Sequence, residues 1–287
     1  MLSDKPGKND MFNGGNDFVS KEMNLELMSV VMTIAYLAMR TRPDLLTCVS
    51  YLTTRIYHHD PVDIAKIKTL IGYIIHTKDK VLTLASDEIK IYGFSDASYQ
   101  NHPDGASQMG WTTCLGYNTE TGVITGLVGA TSKKNKKVVH SSAESELMAQ
   151  AELLKSITQL KYRLEELGFP EQREITMFQD NKSAIVMGEQ GHGGKNSKHI
   201  HMKEFAVKEF CDAGIVNLEY LMTNAMVADI LTKPLIAALL REMTMRILNE
   251  KLVYTEEEIN SKKRPSTSED KINPKKKKLN VQALMLN

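Results

Sequence analysis

The chain has 287 residues, of which 42% are apolar and 25% are charged, with a formal net charge of +1 at pH 7. These values are typical of a soluble globular protein with one large domain or a main domain with appendages. Cys48, Cys114 and Cys211 are widely separated, which excludes a disulfide framework and a zinc-binding spacing, so we expect reduced thiols inside a cell.

The first part of the chain is predicted to be helical. Residues 1–20 are rich in glycine and polar residues, so we expect disorder there. Residues 27–39 are too short an apolar stretch to span a bilayer, so we expect a buried helix and no membrane partner. Further helices are predicted from Pro43 onward and over residues 61–76. The apolar positions that recur at helical spacing in the first helix are Leu25, Met28, Met32, Tyr36 and Met39.

From about residue 86 the pattern changes to strands and helices in one α/β unit. Strands are predicted over residues 89–96, 108–118, 123–131, 175–179 and 216–221. Helices are predicted over residues 141–167, 181–189, 199–212 and 226–233. Residues 119–122 end in Gly122 and predict a hairpin between the second and third strands. The order of elements predicts an antiparallel hairpin set followed by parallel crossovers.

Four acidic residues lie in distinct local settings. Asp96 and Asp180 each end a predicted strand, Glu146 lies near the start of a helix, and Asp229 lies in the last predicted helix. Carboxylates gathered at one place repel each other, and hard divalent cations compensate that repulsion. Two such ions about 3.5–4 Å apart can clamp both oxygens of an in-line phosphoryl displacement, so the pattern indicates a nuclease.

Each acid also has a simpler interpretation. Asp96 and Asp180 could begin turns or cap a helix, and Asp229 could be solvated surface. Glu144 and Glu146 cannot both face one site, because they lie about 200° apart around a helix. Since Ser141 and Glu144 have capping-box spacing, we expect Glu144 to bond the Ser141 amide, which leaves Glu146 to face the strands.

Residues 25–235 resemble the end of the polymerase polyprotein of copia-type retrotransposons, which comprises the last part of reverse transcriptase and the ribonuclease H domain. Six motifs in family-like order carry the resemblance: RTRPD at 40–44, GFSDA at 93–97, SSAESE at 141–146, DNKSAI at 180–185, KHI at 198–200 and ADILTKPL at 228–235. The resemblance implies a ribonuclease H-like fold, which is a five-stranded mixed sheet flanked by helices. It also implies cleavage of the RNA strand of RNA–DNA hybrids with two Mg²⁺ ions, or Mn²⁺ in their place. The implied catalytic and metal-binding acids are Asp96, Glu146, Asp180 and Asp229.

Two features depart from the family pattern. The polymerase motif Tyr-x-Asp-Asp occurs nowhere in the 287 residues, so polymerase activity would need a partner chain. Residues 222–226 also lack the histidine that many cellular ribonucleases H carry before the last acid. The alternatives are therefore a catalytically inactive transposon remnant that binds RNA or hybrid, and a DNA-joining enzyme of the same fold, such as an integrase. The sequence does not predict an oligomeric state.

Two basic clusters are candidates for contact with a nucleic-acid backbone. The first follows the hairpin and contains Lys133, Lys134, Lys136 and Lys137. The second follows a glycine-rich loop and contains Lys195, Lys198 and His199. The competing interpretations are a solvated turn for the first cluster and a locally packed helix start for the second.

The end of the chain is basic. From Ser261 onward eight lysine and arginine residues stand against two acids, so the rest of the chain is mildly acidic. The two clusters of this tail are typical of a nuclear import signal or of a disordered basic arm, and we expect a protein of cytoplasm and nucleus. The predicted domains are a disordered start (1–20), a helical reverse-transcriptase remnant (21–85), a ribonuclease H-like domain (86–236), a carboxyl-terminal helix (237–260) and a disordered basic tail (261–287).

Overall fold

The computed structural model describes residues 12, 18–86, 89–172, 174–191 and 206–250. Three predictions concern residues outside these ranges: most of the disordered start, the basic cluster of Lys195, Lys198 and His199, and the basic tail. The described residues up to Glu250 form one compact unit. The predicted domain boundaries within that unit stay a prediction.

The described residues contain helices, strands and short 3₁₀ turns in the predicted order. The helices are α1 (Lys21–Arg40), α2 (Leu46–Thr54), α3 (Pro61–His76), α4 (Ser142–Glu166), α5 (Lys182–Gln190), α6 (Val207–Asp212) and α7 (Ala237–Leu248). The strands are β1 (Tyr92–Ser98), β2 (Gln108–Asn118), β3 (Val123–Lys134), β4 (Ile175–Gln179) and β5 (Val216–Tyr220). The 3₁₀ turns are Pro43–Leu45, Thr223–Ala225 and Val227–Leu231.

Two predicted elements differ from the structure. The predicted helix over residues 226–233 is the 3₁₀ turn Val227–Leu231, which is too short for a full α-helical turn pattern. Of the predicted helix over residues 237–260, the structure shows Ala237–Leu248, which ends where Asn249 adopts a left-handed backbone conformation with φ 55°, and residues 251–260 lie outside the described ranges.

The five strands form one mixed sheet in the order β3-β2-β1-β4-β5. The β1–β2 and β2–β3 pairs are antiparallel, whereas the β1–β4 and β4–β5 pairs are parallel. Helices flank this sheet, so the predicted ribonuclease H-like fold is confirmed. Because β1 and β4 are parallel neighbours, their carboxyl ends meet at the same edge of the sheet.

The two faces of the sheet carry separate apolar cores. One core packs Ile91, which directly precedes β1, and Met177 of β4 against Leu153 and Ile157 of α4. The other core contains Phe94 and its neighbours Tyr117 and Phe178, packed with α7, the Val227–Leu231 turn and the amino-terminal helices. The rings of Phe94 and Phe178 stack with centroids 4.9 Å apart. The sheet is therefore covered on both sides, and functional groups are confined to its edges.

The amino-terminal helices lie directly on the sheet. Thr47 of α2 donates a hydrogen bond of 2.5 Å from its hydroxyl to the carbonyl oxygen of Ile230. The side-chain amide of Gln108, the first residue of β2, donates one of 3.0 Å to the hydroxyl of Ser50. These bonds join the helical segment to the turn and the strand that build the candidate site.

The prediction that α1 is a buried helix is wrong in part. Its buried residues are Val31, Ile34, Ala35 and Ala38, and these side chains make the contact with the rest of the unit. Four of the five apolar positions predicted to face inward are exposed: Leu25 by 56%, Met32 by 47%, Tyr36 by 65% and Met39 by 63%. With 20 residues and a mean hydropathy of 1.2, α1 meets the length and composition of a membrane-spanning helix, and 22% of that window is buried here. The absence of a membrane partner stays a prediction.

Candidate metal centre

The parallel pairing of β1 and β4 places two carboxylates side by side. Phe94 of β1 pairs with Phe178 of β4, so Asp96 and Asp180 each follow a paired residue by two positions. Asp96 is buried and Asp180 is half-buried. The strand-end positions recognised in the sequence thus lie together at one edge of the sheet.

A third carboxylate, that of Asp229, reaches the same edge through the Val227–Leu231 turn. This turn lies directly against β2, because a Cβ atom at Gly110 would stand 2.5 Å from Cβ of Leu231. Gly110 is also the residue that pairs with Asp96 across the sheet. A larger residue at position 110 would push the turn away from Asp96. The glycine therefore allows Asp229 to approach Asp96.

One carboxylate oxygen from each of Asp96, Asp180 and Asp229 lies within 4.8 Å of the other two. Asp96 and Asp180, together with Glu146, line an open cleft of about 550 Å³ at this edge. The structure therefore brings all four predicted acids to one edge of the sheet, and it brings oxygens of three of them within 4.8 Å of one another. Their assignment as metal ligands and catalytic residues stays a prediction.

Glu144 and Glu146, near the start of α4, have different surroundings. The hydroxyl of Ser141 accepts a hydrogen bond of 3.1 Å from the Glu144 amide, as expected for an N-cap. The Glu144 carboxylate accepts one of 2.7 Å from the amide of His140, and not from Ser141 as the capping-box pattern predicts. Glu146 is 4% exposed and lines the cleft, and its Oε2 has no hydrogen-bond partner among the described residues.

Burial and mutual repulsion perturb the acids of the cleft. Burial, followed by the charges of Asp96 and Asp180, raises the pKa of Glu146 well above its ordinary value. Burial and Asp96 also raise the pKa of Asp180. Burial and Asp96 raise the pKa of Asp229 to about 8, although Lys233 opposes this shift. Buried carboxylates whose pKa values are raised by burial and by each other's charge are typical of a functional site.

Three further side chains hold the acids in place, and none of them is predicted from the sequence as a site residue. The Nζ atom of Lys233 lies 2.8 Å from Oδ1 of Asp229 and 3.7 Å from Oδ2 of Asp96. The Thr232 hydroxyl donates a short hydrogen bond to Asp96. The Thr223 hydroxyl donates one of 2.9 Å to Oδ2 of Asp180.

The pKa of Lys233 reflects the same crowding. Burial alone would lower it, but the charges of Asp96 and Asp229 outweigh burial and raise it. The spacing of four residues from Asp229 to Lys233 is the one sequence signal that could have indicated this ion pair. The contacts of Thr223 and Thr232 join parts of the chain that are far apart in sequence, so no local sequence pattern predicts them.

The donor set fits divalent cations. All the convergent groups are carboxylate oxygens, which hard cations such as Mg²⁺, Mn²⁺ and Ca²⁺ prefer over soft metals. The buried Oε2 of Glu146 has no hydrogen-bond partner among the described residues, so it could accept a further contact from a cation. Within the described residues no histidine or cysteine joins this cluster, which disfavours zinc.

The first predicted basic cluster lies between β3 and α4. Lys133 and Lys134 end β3, and Lys136 and Lys137 follow in the loop that leads to α4. Lys134 is paired with Asp104 at 2.6 Å, whereas Lys133, Lys136 and Lys137 are exposed. Their contact with nucleic acid stays a prediction, as does that of Lys195, Lys198 and His199, which lie outside the described residues.

No family model matches the chain, but its sequence is similar to those of known transposon proteins. It is 28% identical over 214 residues to the retrovirus-related Pol polyprotein from transposon RE2 of Arabidopsis thaliana. It is 25% identical over 218 residues to the transposon Ty1-JR2 Gag-Pol polyprotein of Saccharomyces cerevisiae. Both alignments cover 73% of the chain. The chain is a homologue of copia-type transposon Pol polyproteins. The predicted resemblance is thereby confirmed, and this Pol homologue spans 14% of the length of the first relative and 12% of the second.

Solved structures of ribonuclease H proteins are also similar to this Pol homologue. One is LC11-RNase H1 in complex with an RNA/DNA hybrid, at 14% identity and a TM-score of 0.37, covering 50% of this chain and 94% of that one. Another is the amino-terminal RNase H domain of a Mycobacterium tuberculosis protein, at 15% identity and a TM-score of 0.35, covering 50% and 91%. The fold assignment rests on the sheet order and its flanking helices, and not on these superpositions.

Proposed function

We propose that this Pol homologue hydrolyses the RNA strand of RNA–DNA hybrids by a mechanism that depends on two divalent cations. The observation that carries the proposal is the meeting of Asp96, Asp180 and Asp229, whose oxygens approach within 4.8 Å at the edge of a ribonuclease H-like sheet. Kinship with transposon Pol polyproteins supports the substrate class, since copying RNA into DNA produces such hybrids.

The residues proposed to hold the cations are Asp96, Glu146, Asp180 and Asp229, with Mg²⁺ as the expected ion and Mn²⁺ as its substitute. When bound, the cations supply activation of the attacking water and neutralisation of charge on the leaving 3′ oxygen. The protein supplies rigid placement of the oxygens. Phosphoryl transfer needs little covalent chemistry from a protein, so this placement is the main task of the chain.

Threonine hydroxyls fix the orientation of two of the acids. Thr232 donates to Asp96 and Thr223 donates to Asp180, so each carboxylate has one oxygen committed to a hydroxyl. Such supporting contacts orient metal-binding carboxylates and typically affect activity about 10- to 100-fold. We assign Thr223 and Thr232 as positioning residues on this basis.

Recognition of RNA is proposed to use the polar rim of the cleft. Ser98, Ser142, Asn181 and Ser183 line it together with the acids. Hydroxyl and amide groups of this kind can donate to and accept from a 2′-hydroxyl, which is the group that distinguishes RNA from DNA in a shallow minor groove. The exposed lysines between β3 and α4 are proposed to track the backbone phosphates.

The chain is proposed to act within or beside a larger polymerase. It spans 14% of the length of a related Pol polyprotein, and its 287 residues lack the Tyr-x-Asp-Asp motif. A polymerase-bearing partner, whether a separate chain or the rest of a polyprotein, would supply the hybrid. Residence in cytoplasm and nucleus, with import through the basic tail, is part of the same proposal.

The substrate is tested with one RNA strand in three forms. The purified full chain is incubated in Mg²⁺ or Mn²⁺ with end-labelled RNA that is single-stranded, paired with RNA or paired with DNA. We expect cleavage of the RNA that is paired with DNA and at most slow cleavage of the other two forms. Cleavage of single-stranded RNA at the same rate would contradict hybrid specificity. Binding of the hybrid without cleavage would support the inactive, nucleic-acid-binding alternative.

A further inference from the structure

The ammonium group of Lys233 forms ion pairs with the carboxylate cluster. Its Nζ atom is 2.8 Å from Oδ1 of Asp229 and 3.7 Å from Oδ2 of Asp96, and the side chain is 33% exposed. The ammonium group thus contacts two of the acids that are proposed to bind cations. Lys233 also lines the cleft.

The backbone holds Lys233 in this position. Its amide donates a hydrogen bond of 3.2 Å to the carbonyl oxygen of Asp229, which continues the turn that carries that acid. The preceding residue, Thr232, is anchored to Asp96 through its hydroxyl. The stem of the lysine therefore starts from a fixed point between Asp96 and Asp229. The four-carbon side chain beyond it is flexible, so its ammonium group can leave without disturbing the turn.

The other lysine of the cleft has a different contact. Among the described residues that line the cleft, the lysines are Lys182 and Lys233. Nζ of Lys182 lies 4.9 Å from the centroid of the Tyr220 ring, as in a cation–π contact. Since Lys182 lies in the same cleft but forms no ion pair with Asp96 or Asp229 among the contacts described, it provides a matched control for Lys233.

We propose that Lys233 is a positioning residue that holds Asp96 and Asp229 together before divalent cations bind and that withdraws from them when the cations bind. This inference rests on the proposed function, because it assumes that the site takes divalent cations. The ammonium group and a divalent cation need the same oxygens, and two positive charges cannot share them without repulsion. Lys233 would therefore set the cation concentration at which the site fills.

The competition is reciprocal. If a bound cation weakens the ion pair between Lys233 and Asp229 by some factor, the ion pair weakens cation binding by the same factor. Couplings between two distinct sites of a protein commonly correspond to factors of about 5 to 150, and we expect an effect of about tenfold here. The same lysine should stabilise the cation-free protein, since without it the buried carboxylates repel each other uncompensated.

The experiment measures cation binding and stability without any nucleic acid. The dissociation constant for Mn²⁺ is measured by calorimetry at pH 8 on the full chain, and the melting temperature is measured in EDTA. The variants are Lys233→Met, which keeps the length and removes the charge, Lys233→Arg, which keeps the charge, and Lys182→Met as the matched control. If Lys233→Met unfolds in EDTA, its refolding on addition of Mn²⁺ replaces the melting measurement.

We expect Lys233→Met to bind Mn²⁺ about tenfold more tightly and to melt at a lower temperature in EDTA. Lys233→Arg and Lys182→Met should remain close to the unmodified protein in both measurements. Equal or weaker Mn²⁺ binding by Lys233→Met, with binding retained by the unmodified protein, would overturn the inference alone. If neither protein binds Mn²⁺, the proposed function fails and the inference fails with it.

Discussion

The hydroxyl of Thr223 donates a hydrogen bond of 2.9 Å to Oδ2 of Asp180. The bond ties the short turn Thr223–Ala225 to the residue that follows β4. This turn lies in the segment where many cellular ribonucleases H carry a histidine. Here a threonine occupies that region and contacts a candidate metal ligand directly. The contact lowers the pKa of Asp180 and so partly offsets the effect of burial.

Removal of this hydroxyl should impair the site without unfolding the protein. Thr223 is exposed, so Thr223→Val has little effect on the core. Without the hydrogen bond, the pKa of Asp180 should rise further and cleavage should slow by about tenfold. The acidic limb of the pH–rate profile should move to higher pH. Thr223→Ser restores the donor and should recover most of the activity, and an unchanged profile in Thr223→Val would show that the contact has no role.

The two glutamates of α4 should separate stability from activity. Glu144→Gln weakens the carboxylate bond to the His140 amide at the helix start and should cost about 1 kcal/mol of unfolding free energy. It should leave hybrid cleavage near the original rate. Glu146→Gln should abolish cleavage, because it removes a charge from the cleft. The stability of its cation-free form should rise, since burial and repulsion already disfavour that charge. Urea unfolding in EDTA and a cleavage assay on both variants check this, and the opposite pattern would transfer the catalytic role to Glu144.

The stability of the cation-free protein should fall as pH rises towards 8. The pKa values of Glu146, Asp180 and Asp229 are raised in the folded state, that of Asp229 to about 8, while the unfolded chain titrates near about 4. Between about pH 4 and pH 8 the unfolded chain therefore binds fewer protons than the folded one, and unfolding becomes easier. His59 and His102 act in the opposite direction, because burial lowers their pKa values.

The contribution of the carboxylates is obtained by comparison with Asp229→Asn. Melting temperatures of both proteins are measured in EDTA between pH 5 and pH 8. The difference between Asp229→Asn and the unmodified protein should grow with pH, because only the unmodified protein acquires the unfavourable charge. Addition of Mg²⁺ at pH 8 should raise the melting temperature of the unmodified protein by several degrees. A difference that shrinks as pH rises would contradict the electrostatic account of the cluster.

The lysines before α4 should contribute to affinity and not to the chemical step. Replacing the exposed Lys136 and Lys137 by alanine should weaken hybrid binding and make its salt dependence shallower, by about one unit of slope for each lysine replaced. Saturating cleavage rates should not change. Lys155→Ala is the matched control, since Lys155 pairs with Glu152 on α4. A salt dependence equal to that of the control would mean that these lysines form a solvated turn.

The sequence predicts the bounds of the helices and strands more successfully than it predicts which face of a helix is buried. The bounds of β2 and β4 follow from alternating side chains bounded by turn residues, and the structure reproduces them. The predicted buried face of α1 is wrong, because apolar residues such as Met32 and Tyr36 occur on the side that is exposed. The contact is made instead by Val31, Ile34, Ala35 and Ala38, which also recur at helical spacing, so periodicity alone does not decide which apolar face is buried.

The same division applies to the candidate site. The strand-end positions of Asp96 and Asp180 indicate their meeting, because carboxyl ends of adjacent parallel strands lie at one edge. The approach of Asp229 depends on Gly110, which has no side chain and so leaves room for Leu231. The two residues are far apart in sequence, so no local sequence pattern predicts this contact. The ion pair of Lys233 depends on the same approach. Contacts of this kind follow from packing, so they could be recognised only in the folded chain.

The most direct test is single-turnover cleavage of a labelled RNA–DNA hybrid in Mg²⁺ by the full chain and by Asp96→Asn. The matched control is Asp104→Asn, which changes an exposed acid paired with Lys134 outside the cluster. We predict cleavage of the RNA strand by the unmodified protein and by Asp104→Asn, and a decrease of about 100-fold or more in Asp96→Asn, with hybrid binding retained. Cleavage by Asp96→Asn at the original rate, or hybrid binding without cleavage by the unmodified protein, would contradict the proposed nuclease function.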